Sequence, residues 1–384
     1  MAGPFPLATV KNLKSRLVHL DCLRGIAALL VVLEHLRAFL FVPFAKLGAS
    51  GVLTKAFYLL TGWGHQAVMI FFVLSGFLVG GSVITALENG KWSWKGYLLR
   101  RMSRLWVVLI PALLLTLLWD KLGYGLCPEG YQGIFRDLYH SGPTPEIPAD
   151  WSLAAFFGNT CFLQTILVPC FGTNGPLWSL ANEFWYYILF PLLLAVVAPN
   201  RLAPRILSIL LAVLILLFLP KSILLGGLIW LLGAGVFFLT RRQGVRAIVS
   251  HPLWFAAAFV ATLGCLIASR RGGGEGFDAA IGVSVAMLVA ALACKPSGNH
   301  LYGMISAGMS EISYTLYLVH FPLLAFLFFG FFKGNQMAPG ITSGSWFAIT
   351  LGGVLLYAGA IWWLFERNTD HLRKFVERSL SFTK

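Results

Sequence analysis

Long apolar stretches recur along almost the whole chain, and they restrict its possible folds more than any other feature. Ten stretches have bilayer-crossing character, at roughly 24–44, 65–87, 105–119, 178–198, 205–219, 223–239, 253–269, 279–294, 311–332 and 346–365. A helix needs about 20 mostly apolar residues to cross the hydrocarbon core. The expected fold is an all-α polytopic membrane protein with about ten transmembrane helices, organised as a single integral-membrane domain over 1–384. Charged residues make up only 11% of the chain, against about 25% in a soluble domain. That is too few to coat a water-facing surface, and the same apolar excess excludes disorder. A further stretch, Trp151–Val168, is apolar but broken by Gly158, Asn159 and Thr160. It reads as an interfacial or re-entrant segment rather than an eleventh span.

Ten spans put both termini on one side, and the basic residues say which. The segments assigned to that side hold 20 of the 29 Lys and Arg residues, the opposite loops hold eight, and Arg37 lies inside a span. Basic residues collect on the cytoplasmic side, so both termini are expected in the cytoplasm. Most of the net charge of +14 is then topology rather than a nucleic-acid footprint, and no nucleic-acid partner is expected. The implied location is a cell membrane, with membrane lipids as partners. The basic tail Arg367–Lys384 is placed to rest on anionic headgroups. Six cysteines show no ligand spacing, so no metal site is expected. Cys127, Cys161 and Cys170 lie in or near the single long polar loop, about Asp120 to Gly175. Two of them could pair if that loop faces an oxidising compartment.

Ionisable residues inside spans are costly and usually functional. Few qualify here: Arg24, Glu34, His35, Arg37, Glu183, Glu311 and His320, with His65 at a span edge. Arg24 and His35 are 11 residues apart, so on a helix they share one face about 16 Å apart along its axis. An arginine at the membrane mouth can hold phosphate or carboxylate bidentately, and a mid-membrane histidine can act as a general base. Each also has a plainer reading: a snorkelling Arg24 paired with Asp21, and a His35 satisfied by a neighbouring helix. By depth counting, Glu183 and His320 approach the level of His35. For both, the plainer reading is a structural hydrogen bond. Glu34 stands where it could raise the basicity of His35 or pair with Arg37 at i,i+3. The run Arg100, Arg101 and Arg104 opens the third span, as topological decoration or as a phosphate clamp.

Several stretches together resemble acyltransferase family 3. Leu20-Asp21-Cys22-Leu23-Arg24-Gly25-Ile26-Ala27-Ala28-Leu29, completed by His35, is similar to the family's opening motif. Phe71-Phe72-Val73-Leu74-Ser75-Gly76-Phe77-Leu78 lies in the second span, and Arg101-x-x-Arg104 resembles the family's arginine pair. Pro176-Leu177-Trp178-Ser179-Leu180-Ala181-Asn182-Glu183 resembles the stretch PLWSLSVE, and Ser313–His320 resembles SYSLYLWH. Cys22 replaces a common glycine, and Phe184 stands where a second glutamate is common. No hydrolase domain follows, so the resemblance is to the stand-alone form.

The resemblance implies a membrane O-acyltransferase that moves an acyl group, most often acetyl, from cytoplasmic acyl-CoA to a hydroxyl of a cell-envelope or exported glycan. It implies acyl-CoA as donor substrate, with no bound cofactor, and a carbohydrate or glycolipid as acceptor. His35 is expected as general base or transient acyl carrier, with Glu183 orienting His35 or holding the acceptor. Arg24, Arg101 and Arg104 are expected to bind the donor's phosphates. Ser179 and His320 are further substrate-binding candidates. A proton-coupled transporter or glycan exporter stays open as an alternative, although no duplicated halves of the transporter kind are visible.

Overall fold

The computed structural model describes residues 17–133, 141–197, 202–270, 272, 274–296 and 299–381. All regular structure among them is helical. In chain order the helices are α1 (Val18–Leu40), α2 (Val52–Leu60), α3 (Gly64–Ser75), α4 (Gly81–Glu88), α5 (Trp94–Leu126), α6 (Leu153–Thr160), α7 (Trp178–Val197) and α8 (Leu202–Phe218). They continue with α9 (Lys221–Leu239), α10 (Gln243–Val249), α11 (Pro252–Ala268), α12 (Glu275–Cys294), α13 (His300–Phe331), α14 (Ile341–Leu364) and α15 (Thr369–Ser381).

Among the described residues seven helical segments are long and apolar enough to cross a membrane, or eight if the bent pair α10–α11 counts as one span. This is a multi-pass membrane protein, with seven or eight such segments against the ten expected. Two of the expected ten fall short for definite reasons. Helix α8 has 17 residues, and α1 carries Asp21, Arg24, Glu34 and Arg37 within its 23. Helix α5 is longer than expected. It starts at Trp94, where the Ser93 side chain accepts the Gly96 N–H at 3.3 Å and caps the first turn. The arginine run therefore lies on the helix and not before it. At its other end α5 carries Asp120 and Lys121, which were expected in the loop. Trp151–Val168 forms the eight-residue helix α6 followed by tight turns at Phe162 and Thr165, both with positive φ.

By its contacts the chain divides into two compact units. The first comprises residues up to Ala27, Gln66–Thr85 and Leu225–Ser313. Here α3 and α4 are joined by a π-helical turn, Gly76–Gly80, of the kind often found at functional sites. The turn packs closely against α9. A Cβ on Gly76 would strike the Trp230 carbonyl oxygen, and one on Gly233 would strike that of Val73. The indole of Trp230 donates to the Ser75 hydroxyl at 3.1 Å and fixes the pairing.

The second unit comprises Ala28–His65, Ala86–Leu224 and Tyr314–Lys384. It is knit by a buried polar network as well as by apolar packing. Asn159, fully buried, donates to the carbonyls of Ala155 and Pro169 and accepts from the Phe171 N–H. Gln164 donates to Leu177. These bonds hold the segment after α6 against the start of α7 and satisfy backbone groups that burial would otherwise leave unpaired.

Candidate functional site

Helix α1 carries His35 and α13 carries His320, and their rings meet within the second unit. His35 Nδ1 lies 2.9 Å from His320 Nε2, with the rings nearly parallel at 17°. His320 is fully buried. Its Nδ1 lies 3.0 Å from the Leu316 carbonyl oxygen and 2.9 Å from that of Tyr317. Carbonyls only accept, so we assign the proton of His320 to Nδ1. A neutral His320 then presents its lone pair at Nε2, and His35 is the donor through Nδ1. In its neutral form His35 then carries its own lone pair on Nε2. Two backbone carbonyls of α13 thus determine, through two rings, which nitrogen of His35 is basic. The ring of Phe321 closes on His35 edge-on, with centroids 4.9 Å apart.

His320 was expected to bind substrate. Both its nitrogens have protein partners, Nε2 on His35 and Nδ1 on backbone carbonyls. Glu183, expected to orient His35 or to hold the acceptor, accepts the Tyr187 hydroxyl at 3.0 Å, one turn along α7. Ser179 is likewise engaged. The Tyr317 hydroxyl donates to the Pro176 carbonyl at 3.0 Å and stands 2.8 Å from Ser179 Oγ. Ser179 is 7% exposed, and its hydroxyl braces α7 against α13.

Glu34 does not serve His35 in the expected way. Its carboxylate accepts the backbone N–H of Gly64, and that of His65 at 3.2 Å. It therefore caps α3, where the helix dipole favours an anion. Position 64 is glycine because Glu34 occupies the space a side chain would need. Arg37 donates to the Thr61 carbonyl at 3.1 Å and lies over the Tyr58 ring. Glu311 and His65 are exposed.

The three arginines expected at the donor have unlike surroundings. The Arg101 guanidinium lies over the rings of Tyr97 and Tyr187, at 5.6 and 5.8 Å from their centroids, within cation–π reach of both. Arg104, three residues on, is exposed. In the first unit, Arg24 donates to Ser310 Oγ at 3.1 Å, and the Ser310 hydroxyl donates to Asp21 at 3.0 Å. Serine thus stands between the arginine and the aspartate expected to pair directly.

Sequence reasoning missed Asp120. It was read as a loop charge, yet its carboxylate is fully buried. It accepts from the Trp151 indole at 2.9 Å, the Thr173 N–H at 2.7 Å and the Thr173 hydroxyl at 2.6 Å. Gly172, with φ of 56°, leaves room for it. The signal available was position, since Asp120 closes an apolar run without a break in helical pattern. Just beyond α5, burial near Asp120 and Cys127 pushes the Tyr131 hydroxyl above its usual range. Cys127, Cys161 and Cys170 form no disulfide with one another, and the Cys170 thiol instead donates to the Gly175 carbonyl at 3.4 Å. Among the described residues no three His, Cys, Asp or Glu side chains gather where they could hold a metal.

A helical, multi-pass membrane protein with a hydrogen-bonded histidine pair is the class that fold and site define. The family model for the acyltransferase domain of acyltransferase family 3 matches residues 17–364, and the chain belongs to that family. It is also similar to an uncharacterized protein of Haemophilus influenzae (strain Rd), at 28% identity over 155 residues. That match covers 40% of this chain and 58% of the relative's length. No solved structure matches the chain.

Proposed function

We propose that this protein is an O-acyltransferase that moves an acyl group, in the first instance acetyl, from acyl-CoA to a hydroxyl of a cell-envelope or exported glycan. The observation that carries this reading is the His35–His320 bond. It leaves His35 Nε2 as the basic nitrogen, on a helix that also bears Arg24. In the proposed step, His35 Nε2 takes the proton of the acceptor hydroxyl as that oxygen attacks the thioester carbonyl. The carbon–sulfur bond breaks, and the departing thiolate takes the proton from Nε2. The charge on the transient imidazolium is shared through Nδ1–H with neutral His320. Glu183, with Tyr187 on it, is the proposed holder of the acceptor. Arg104 and Arg24 are the proposed contacts for donor phosphates, and Arg101 is proposed to shape that region through its two tyrosines. With the basic bias counted above, both termini are proposed to face the cytoplasm.

The test is transfer of label. Membranes containing the protein are incubated with [14C]acetyl-CoA, and the glycan and lipid fractions are counted. Label above that of protein-free membranes, lost in His35→Ala at equal folded protein, supports the reading. Label retained by His35→Ala removes His35 from the chemistry.

A further inference from the structure

Helix α13 contains Pro322. Proline has no N–H, so the carbonyl four residues before it, Leu318, lacks its helical partner, and the ring pushes against that carbonyl. Leu318 is two residues from His320, in the turn whose carbonyls at 316 and 317 orient the His320 ring. The freed carbonyl is nonetheless satisfied. Asn174 Nδ2 donates to the Leu318 oxygen at 2.9 Å and to Thr116 Oγ1 at 3.1 Å. Asn174 is fully buried, and the residue before it, Thr173, is the one held twice by Asp120. Thr116 in turn donates to the Ala112 carbonyl at 2.8 Å, so α5 supplies both anchors of the 171–175 segment.

We propose that Asn174, fixed in place by Asp120, is a positioning residue for the histidine pair. It holds the Leu318 carbonyl that Pro322 releases and so sets the turn of α13 from which His320 orients His35. The inference rests on the proposed function of His35, but it makes a separate demand. Asn174 must act as a donor to one carbonyl, and that donor is replaceable. In Pro322→Ala the amide of residue 322 regains its N–H and can bond Leu318 in place of the asparagine. Asn174→Asp keeps size but sets a carboxylate against the carbonyl and leaves it unsatisfied.

The experiment measures [14C]acetyl-CoA label transfer by membranes containing the full-length chain. It compares wild type, Asn174→Ala, Asn174→Asp, the double variant Asn174→Ala/Pro322→Ala, and Asp120→Asn. Folded protein is normalised by size-exclusion chromatography in detergent. The expected result is a fall of at least tenfold in the saturated rate for both Asn174 variants. The acetyl-CoA concentration at half rate should stay within about twofold, because the donor contacts are untouched. The double variant should recover most of the lost rate. Asp120→Asn should resemble Asn174→Ala. A wild-type rate in Asn174→Ala overturns the proposal, as does a folded double variant with no recovery. Should Asn174→Ala fail to fold, the double variant decides: restored folding and transfer support the role, and continued failure overturns it. Label transfer surviving in His35→Ala would instead sink the underlying reading of the histidine.

Discussion

His35 and His320 share a hydrogen bond of 2.9 Å between Nδ1 of the first and Nε2 of the second. Because His320 Nδ1 is committed to backbone carbonyls, the two rings work as one unit, in which the lone pair of a neutral His35 falls on Nε2. A positioned general base contributes about 10²- to 10⁴-fold to rate. His35→Ala should therefore lower label transfer by that order. His320→Ala should lower it by at least tenfold, and the double variant should be no worse than His35→Ala alone, since residues acting as one unit lose their effect once. Saturated rates at matched folded protein check this. Additive losses would mean that the rings act separately.

Gly233 and Gly235 lie two residues apart on α9, and they should respond oppositely to the same change. A Cβ at 233 meets the Val73 carbonyl, which is backbone and cannot turn away, while 235 faces open space. Gly233→Ala should cost about 1–3 kcal/mol through overpacking at the α3–α9 crossing. Gly235→Ala should be neutral or gain up to about 1 kcal/mol, because alanine is the better helix former. Thermal unfolding in detergent, followed by tryptophan fluorescence, separates the two. Equal midpoints would argue against this helix crossing.

Much of this was legible in the sequence, for identifiable reasons. The helices announce themselves because lipid demands long apolar runs, and His35 and His320 stand out because ionisable groups are rare within such runs. What the sequence did not show is who partners whom. His320, Glu183 and Ser179 were all visible, but a linear reading has no means of telling what each one touches. Only packing sets Tyr317 on Pro176 beside Ser179 and His320 on His35. Asp120 was misread for a related reason. A charge at the end of an apolar run looks like the start of a loop, and nothing in the run itself shows that Thr173, 53 residues on, returns to bury it. The arginines illustrate the same limit, since spacing makes Arg101 and Arg104 alike and environment makes them different.

Glu34 should matter to stability through the start of α3. It accepts the N–H groups of Gly64 and His65, so Glu34→Ala leaves two helix-terminal donors without it. Loss of an N-terminal cap costs about 0.5–2 kcal/mol. Glu34→Gln keeps one acceptor oxygen but loses the charge that favours a helix N-terminus, so it should fall between wild type and alanine. Unfolding midpoints in that order support the cap. A Glu34→Ala variant as stable as wild type would contradict it.

Arg101 and Arg104 should separate cleanly when each is replaced. Arg101 makes cation–π contacts with Tyr97 and Tyr187, and Tyr97 also donates to the Tyr187 carbonyl at 3.0 Å. The guanidinium therefore helps to hold α5 against α7. Lysine lacks the planar guanidinium, so Arg101→Lys should lower the unfolding midpoint nearly as far as Arg101→Ala. Arg104 is exposed, and its charge is the property that counts. Arg104→Lys should be mild. Arg104→Ala should raise the acetyl-CoA concentration needed for half-maximal transfer while leaving the midpoint unchanged. A charge-assisted contact contributes about 1.5–3 kcal/mol, which converts to roughly ten- to a hundredfold in that concentration, since each 1.4 kcal/mol is tenfold. Midpoints from thermal scans and half-saturation from label transfer give the two axes. If Arg104→Ala moved only the midpoint and Arg101→Lys only the half-saturation, the two roles would have to be exchanged, and Arg101 would become the donor contact.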